Sequence, residues 1–248
     1  MNIINIEHIH KIYGDKVIFD DVSCGIQEGD KIGIIGINGT GKSTLLKMIA
    51  GKEETDEGQI VRQNGLRIAY MPQSPEFPEG STVTSYALDG NPDTDWLVQS
   101  NLTKLGIMDY DAVLEHLSGG QRRRVAMAKV LAGDFDVLIL DEPTNHLDEA
   151  MINWLEEYLK SYKGVIIMVT HDHNLVRDFN HRVIMLDGGR VVMQGTPKEV
   201  FSNVDKLRSY GLDVPQSTEI CHDLGIKEGV LDVDECVDEI ARMLGGAV

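Results

Sequence analysis

Gly36-Ile-Asn-Gly-Thr-Gly-Lys42-Ser43 fits the pattern G-x-x-x-x-G-K-[ST], whose chemistry is the cradling of a polyphosphate. Backbone N–H groups approach an anion closely only where no side chain intervenes, and Gly36, Gly39 and Gly41 carry no Cβ. Lys42 is placed to reach the β- and γ-phosphates and Ser43 to ligate Mg²⁺, while Asn38, Thr40 and Thr44 complete the loop's nucleotide contacts. An apolar stretch, residues 31–35, leads into the loop, and a helical run from Thr44 leaves it. The helix therefore presents its positive dipole end to the phosphates.

A second constellation lies about a hundred residues on. Val137-Leu-Ile-Leu is a short continuous apolar run, as expected of a strand buried on both faces of a parallel sheet, and it ends in Asp141-Glu142-Pro143. Adjacent carboxylates at a strand end can divide the work of phosphoryl transfer. Asp141 would hold Mg²⁺ while Glu142, as general base, polarises the attacking water. Taken alone, Asp-Glu-Pro reads as a solvated turn; the loop upstream favours the catalytic reading.

Leu117-Ser118-Gly119-Gly120-Gln121 then precedes a helical run, offering a second anion-binding terminus. The three arginines that follow, Arg122 to Arg124, point in different directions and read as a solvated face. With these motifs in order, the chain resembles the ATP-binding cassette superfamily. Tyr13 resembles its adenine-stacking aromatic and Gln73, in Tyr70-Met-Pro-Gln, its Q-loop glutamine. Residues 117–121 resemble the signature, Asn145-His-Leu-Asp148 the D-loop, and His171, in Val169-Thr-His-Asp, the switch histidine. The resemblance implies an α/β fold: a P-loop NTPase ABC cassette with a mainly parallel sheet core, an N-terminal antiparallel β subdomain and a short helical lobe. It also implies an ATP hydrolase using ATP and Mg²⁺. Glu142, His171 and Gln73 would then be catalytic, and Ser43, Gln73 and Asp141 would hold the metal. Two such cassettes pair head to tail, so Ser118, Gly119, Gly120 and Gln121, together with Asp148, complete the nucleotide contacts, with Ser118 and Gly120 serving the partner's ATP. A second cassette, as homodimer or heterodimer, is thus implied.

The elements that must position these residues are legible in outline. Residues 1–30 read as antiparallel strands turning at Gly14-Asp15 and Glu28-Gly29, and strands at 58–62 and 67–70 lead towards Gln73. Residues 149–162 read as an amphipathic helix, and 182–186 with 190–193 as a hairpin. We expect a nucleotide-binding domain over 1–211, its helical lobe at about 74–130, and an acidic helical extension over 212–248. That extension carries apolar positions Val230, Leu231, Val233, Val237, Ile240, Ala241 and Leu244, which suit either a domain-closing helix or a dimerisation element.

With 248 residues and 42% hydrophobic content the chain can bury a full core. Three cysteines without a C-x-x-C suggest a reducing compartment and idle thiols. No stretch reaches the roughly 18 apolar residues of a membrane span, so a cytoplasmic protein without direct membrane insertion is expected. The net charge of −17 argues against a broad electrostatic grip on nucleic acid.

The cellular task divides two resemblances. Asp141-Glu-Pro-Thr-Asn-His-Leu-Asp148 is the wording of the ABC-F class, which acts on the ribosome, yet that class joins two cassettes and carries a long helical arm. Residues 195–216 instead resemble the tail of energy-coupling-factor ATPases, the motors of vitamin and metal-ion importers. The expectation adopted is the cytosolic motor of a transporter, partnered by an integral membrane subunit; the alternative is an ABC-F-like factor partnered by the ribosome.

Overall fold

A computed structural model describes residues 1–89, 92–179, 181–226 and 229–245. The chain opens with two long strands, β1 (Asn2–Tyr13) and β2 (Lys16–Gln27), joined by a tight turn at Gly14, whose φ of 57° suits a residue without Cβ. Then come β3 (Lys31–Ile35), α1 (Lys42–Ile49), β4 (Glu57–Arg62) and β5 (Ile68–Met71). Three helices follow: α2 (Val83–Leu88), α3 (Asp95–Lys104) and α4 (Gly119–Ala132). The second half alternates β6 (Val137–Asp141), α5 (Glu149–Ser161), β7 (Val165–Val169), α6 (His173–Phe179), β8 (Arg182–Asp187) and β9 (Arg190–Gly195). The chain closes with α7 (Pro197–Phe201), α8 (Val204–Ser209), α9 (Gln216–Asp223) and α10 (Val233–Met243).

Two sheets result. β2, β1 and β4 form an antiparallel three-stranded sheet, and the other six strands run in the order β5-β6-β7-β3-β8-β9. All neighbours in the larger sheet are parallel except the β8–β9 hairpin at its edge. β6 and β7 are buried along their whole length, which is why their sequences are continuous apolar runs rather than alternations. β3 pairs with β7 on one side and β8 on the other, so the phosphate loop leaves the middle of the sheet at its carboxyl edge.

α1 is wedged between the two sheets. Its Leu45, Leu46, Met48 and Ile49 are at most 1% exposed and share a core with Ile4, Ile9 and Phe19 of the small sheet and Ile34, Ile139 and Ile167 of the large one. On the opposite face α2, α3, α4 and α5 pack over Met71, Leu138, Leu140 and Met168. A third core gathers Val200, Phe201 and Leu207 against β8. The C-terminal segment contributes Val214 and Leu231 to that third core and adds a small cluster of its own, Cys221, Val230 and Cys236, flanked by Ile226 and Ile240.

Three expectations change in detail. The arginines after the signature are not a solvated face: Arg123 is 4% exposed and Arg122 and Arg124 are half-buried. Val230 and Leu231 precede α10 instead of belonging to it. The apolar positions of α10 itself are divided: Cys236 is buried and Ile240 half-buried, while Val233, Val237 and Leu244 are exposed. Among the described residues no helix is long and apolar enough to cross a membrane.

Candidate nucleotide site

A cleft of about 420 Å³ opens where β3, β6 and β7 end, lined by Lys16, Asn38, Gly39, Gly41, Lys42, Ser43, Thr44, Gln73, Asp141 and Glu142, with Ile18 and Val169 beneath. The loop's shape depends on its glycines. Gly41 caps α1 at φ 92°, and a Cβ there would come within 2.6 Å of the Ile18 side chain. Gly36, at φ 154°, would place a Cβ 2.5 Å from the Leu186 carbonyl and 2.9 Å from the Thr40 hydroxyl. Any side chain at either position would therefore collide with the cradle as well as strain it. Gly39 differs: its φ of 85° is unfavourable for other residues, but the nearest neighbour to a Cβ, the Lys16 ammonium, is 3.7 Å away. Lys16, which sequence reasoning missed, donates to the Gly39 carbonyl at 3.2 Å and brings a second cation to the loop.

Lys42 is only 7% exposed, and its ammonium donates to the carbonyls of Gly36 (2.7 Å) and Ile37 (3.0 Å). Burial pushes its pKa down, while Glu142 and Asp141 act in the opposite sense. The two carboxylates sit at the end of β6, placed there by its pairing with β7. Asp141 is 1% exposed. Burial raises its pKa, against the Ser43 hydroxyl, the Arg123 guanidinium, a Gln73 backbone group and Lys42, which lower it. Its Oδ1 is buried with no hydrogen-bond partner. An orphaned, charge-bearing oxygen beside a serine hydroxyl is the donor set a hard divalent cation takes, so Asp141, Ser43 and Gln73 fit Mg²⁺.

Glu142 is 6% exposed and adopts φ 54°, a left-handed backbone rarely tolerated outside glycine, asparagine and aspartate. Its N–H donates to the Val169 carbonyl at 2.8 Å, and its Oε1 lies 3.1 Å from Nε2 of the more exposed His171. Burial raises the Glu142 pKa; His171 is the largest influence lowering it. The pair is thus a carboxylate primed to hold a proton, oriented by an imidazole one strand away.

Arg123 was invisible to sequence reasoning as a site residue. From the second turn of α4 it donates to the carbonyls of Gln73, Asp141 (2.6 Å) and Glu142. It thereby joins the glutamine loop to the strand end. No sequence signal separates it from Arg122 and Arg124; only its helical phase, once α4 is docked, turns it inward.

The remaining expected residues stand outside this cleft. Tyr13, at the end of β1, is 45% exposed, with its hydroxyl bonded to the Glu53 carboxylate and the Lys11 ammonium 5.5 Å from the ring centroid. Ser118 caps α4: its hydroxyl accepts from the Gln121 N–H at 3.2 Å, and the Gln121 side chain accepts in return from the Ser118 N–H at 3.0 Å. Gly119 and Gly120 form that helix's first turn, and a Cβ on Gly120 would sit 3.2 Å from that of His146. Asp148 caps α5 through the Met151 N–H at 2.9 Å. None of these residues lines the cleft, so the signature helix presents its N-terminus elsewhere on the surface.

Fold and cleft define a nucleotide-binding α/β ATPase cassette. A family model described as ABC transporter matches residues 19–145, and the chain belongs to that family. It is 37% identical to a Bacillus subtilis protein called uncharacterized ABC transporter ATP-binding protein YfmR, over 81% of this chain and 39% of that protein. It is 35% identical to the energy-dependent translational throttle protein EttA of Haemophilus influenzae, over 82% of this chain and 44% of that one. It is 36% identical to the ATP-binding protein Uup of Buchnera aphidicola, over 86% and 37%. The chain thus spans about two fifths of the length of these curated relatives. A solved structure titled ATP binding subunit of ABC transporter superposes with a TM-score of 0.71 at 24% identity, covering 85% of this chain and 94% of that one, and shares the fold.

Proposed function

We propose that the chain binds MgATP in this cleft and hydrolyses it when closed against a second cassette. The observation that carries the reading is the convergence of Lys42, Ser43, the unpartnered Asp141 Oδ1 and Glu142 on one cleft, with His171 3.1 Å from the Glu142 carboxylate. Loop N–H groups and Lys42 would bind the β- and γ-phosphates, Lys42 exchanging its bonds to the loop carbonyls for phosphate oxygens. Asp141, Ser43 and Gln73 would hold Mg²⁺, which supplies charge neutralisation at the transferring phosphoryl group. Glu142 would accept the proton of the attacking water, and His171 would hold that carboxylate in orientation. Tyr13 offers an exposed ring at the cleft's margin for the base.

Ser118 to Gln121, which open α4, and Asp148, which caps α5, would act on a partner's nucleotide, because both helix starts lie outside this chain's own cleft. The cassette would comprise residues 1–211 and the extension 212–248.

For the cellular role, relatives 35–36% identical across the cassette include one named for translational throttling, which supports an ABC-F-like factor working with the ribosome. The second reading is a transporter motor with an integral membrane subunit, favoured by the resemblance of residues 195–216 to the tail of energy-coupling-factor ATPases. Glu142→Gln, locked with ATP and used as bait in cells with membranes solubilised, separates them. Retained ribosomal subunits support the first reading; a membrane protein supports the second. The chemistry itself is tested by turnover in the same variant: ATP binding should persist while hydrolysis falls about 10²–10⁴-fold, the range of general-base catalysis. Wild-type turnover would exclude Glu142 as the base.

A further inference from the structure

The C-terminal extension contains two cysteines that face each other. Cys221, in the second turn of α9, and Cys236, in the first turn of α10, lie fifteen residues apart in sequence with their Sγ atoms 3.1 Å apart. Both are free thiols, 1% and 6% exposed, and with Val230 they form a small buried cluster within the extension. A disulfide requires an S–S separation of about 2.05 Å, so closure asks for a shift of about 1 Å between two short helices. The third cysteine, Cys24, belongs to a different core, beside the residues of the small sheet, and cannot compete.

We propose that Cys221 and Cys236 are an oxidation site, forming an intramolecular disulfide that staples α10 to α9. The oxidant is a small-molecule disulfide. One cysteine thiolate attacks a sulfur of that disulfide, expelling one small thiol and leaving a mixed disulfide on the protein. The other cysteine thiolate attacks the protein-bound sulfur and expels the second small thiol. Two protein sulfurs are oxidised, the small disulfide takes up both electrons, and the two protons lost by the cysteines end on the released thiols.

What the bond would change follows from the packing. α9 is tied to the cassette through the Arg208–Glu219 ion pair and a 3.6 Å contact between the His222 ring and the Asp205 carboxylate, and the Thr218 hydroxyl donates to the Val230 carbonyl. α10 has a thinner hold: a Lys198–Glu235 ion pair at 3.5 Å, and few buried side chains besides Cys236. Its Val233, Val237 and Leu244 are exposed, so the helix draws little stability from apolar burial. Burial pushes the Cys221 thiol up to about 11, so the site is a slow responder that reacts through openings of α10. The staple would convert a lightly anchored helix into a fixed one.

The test uses the full chain, incubated with oxidised glutathione, quenched by alkylation under denaturing conditions and mapped by mass spectrometry. The expected result is a single alkylated cysteine, Cys24, and a cross-linked peptide joining Cys221 to Cys236. Amide exchange across α10 should slow by about 100-fold, the protection conferred on a closed loop of this size. Three alkylated cysteines, a glutathione adduct that never resolves, or a cross-link between chains would overturn the proposal. In Cys236→Ala the oxidant should leave α10 exchange unchanged; equal slowing there would show that the bond is not the cause. None of these readouts depends on ATP, so the proposal stands or falls apart from the hydrolytic reading.

Discussion

The Arg123 guanidinium donates to the main-chain carbonyl of Asp141 at 2.6 Å, which fastens the helix opened by Ser118 to the strand end that carries the cleft carboxylates. One residue thus connects two surfaces that the proposed pairing assigns to different nucleotides. A displacement of α4 cannot leave Asp141 and Glu142 unmoved, because the same side chain also grips the Gln73 and Glu142 carbonyls.

Removing that side chain should be costly. Arg123→Ala leaves three carbonyls without their charged donor, and a destabilisation of about 2–3 kcal/mol is expected from urea unfolding. Arg123→Lys should recover little of it, since a point-like ammonium cannot span three acceptors as a planar fork does. Full recovery by lysine would show that charge rather than geometry is what Arg123 contributes.

Acid inactivation of the ATPase should report Glu142. Burial raises its pKa, so the acid limb of kcat should fall above the ordinary glutamate range. His171 acts to lower that value, and its loss should let the value rise. In His171→Ala the residual activity should therefore lose its acid limb at a higher pH than the wild type. An unmoved limb in stopped-flow phosphate-release profiles would separate the two residues.

Asp141 should cost the unliganded protein stability at neutral pH. Its folded pKa is raised, so the native state favours the protonated form. The stability this contributes is present below the unfolded carboxylate range and lost as pH rises through the folded value. Asp141→Asn removes the buried charge and should raise the melting temperature by about 2–4 °C at neutral pH without Mg²⁺. The gain should vanish in acid. Mg²⁺-dependent ATP affinity should fall in the same variant, and a calorimetric scan with and without metal checks both.

The pairing geometry is open to a single substitution that spares the fold. Aspartate is as good a helix cap as serine, so Ser118→Asp should keep α4 capped while adding a negative charge where the partner's γ-phosphate would lie. ATP should still bind each monomer, but light scattering of the Glu142→Gln background should no longer show ATP-dependent dimers. Dimers that persist would place the signature helix away from the partner's nucleotide.

Much of the cleft was legible because its parts obey local rules. Three glycines before Lys42 announce a backbone that others cannot adopt, and the apolar run at 137–140 announces a strand buried on both faces that must deliver Asp141 to an edge. Tyr13 and Gln73 carried no such local rule and entered only by their order beside the loop. Arg123 and Lys16 could not be read at all, since what distinguishes them is a partner more than twenty residues or a whole helix away. The strand order β5-β6-β7-β3-β8-β9 is likewise a matter of long-range pairing. The acidic tail announced helices, yet the inward face of α10 is carried by Cys236 and Ile240, while Val233 and Val237 stay exposed, and which of these two faces packs depends on where α9 lies.

The left-handed backbone of Glu142 gives the residue a value as a historical marker. Glycine or asparagine would sit there with less strain, so the backbone itself favours those two replacements and a need for the carboxylate opposes them. A lineage in which the cassette had become a passive binder would be expected to drift at this position first.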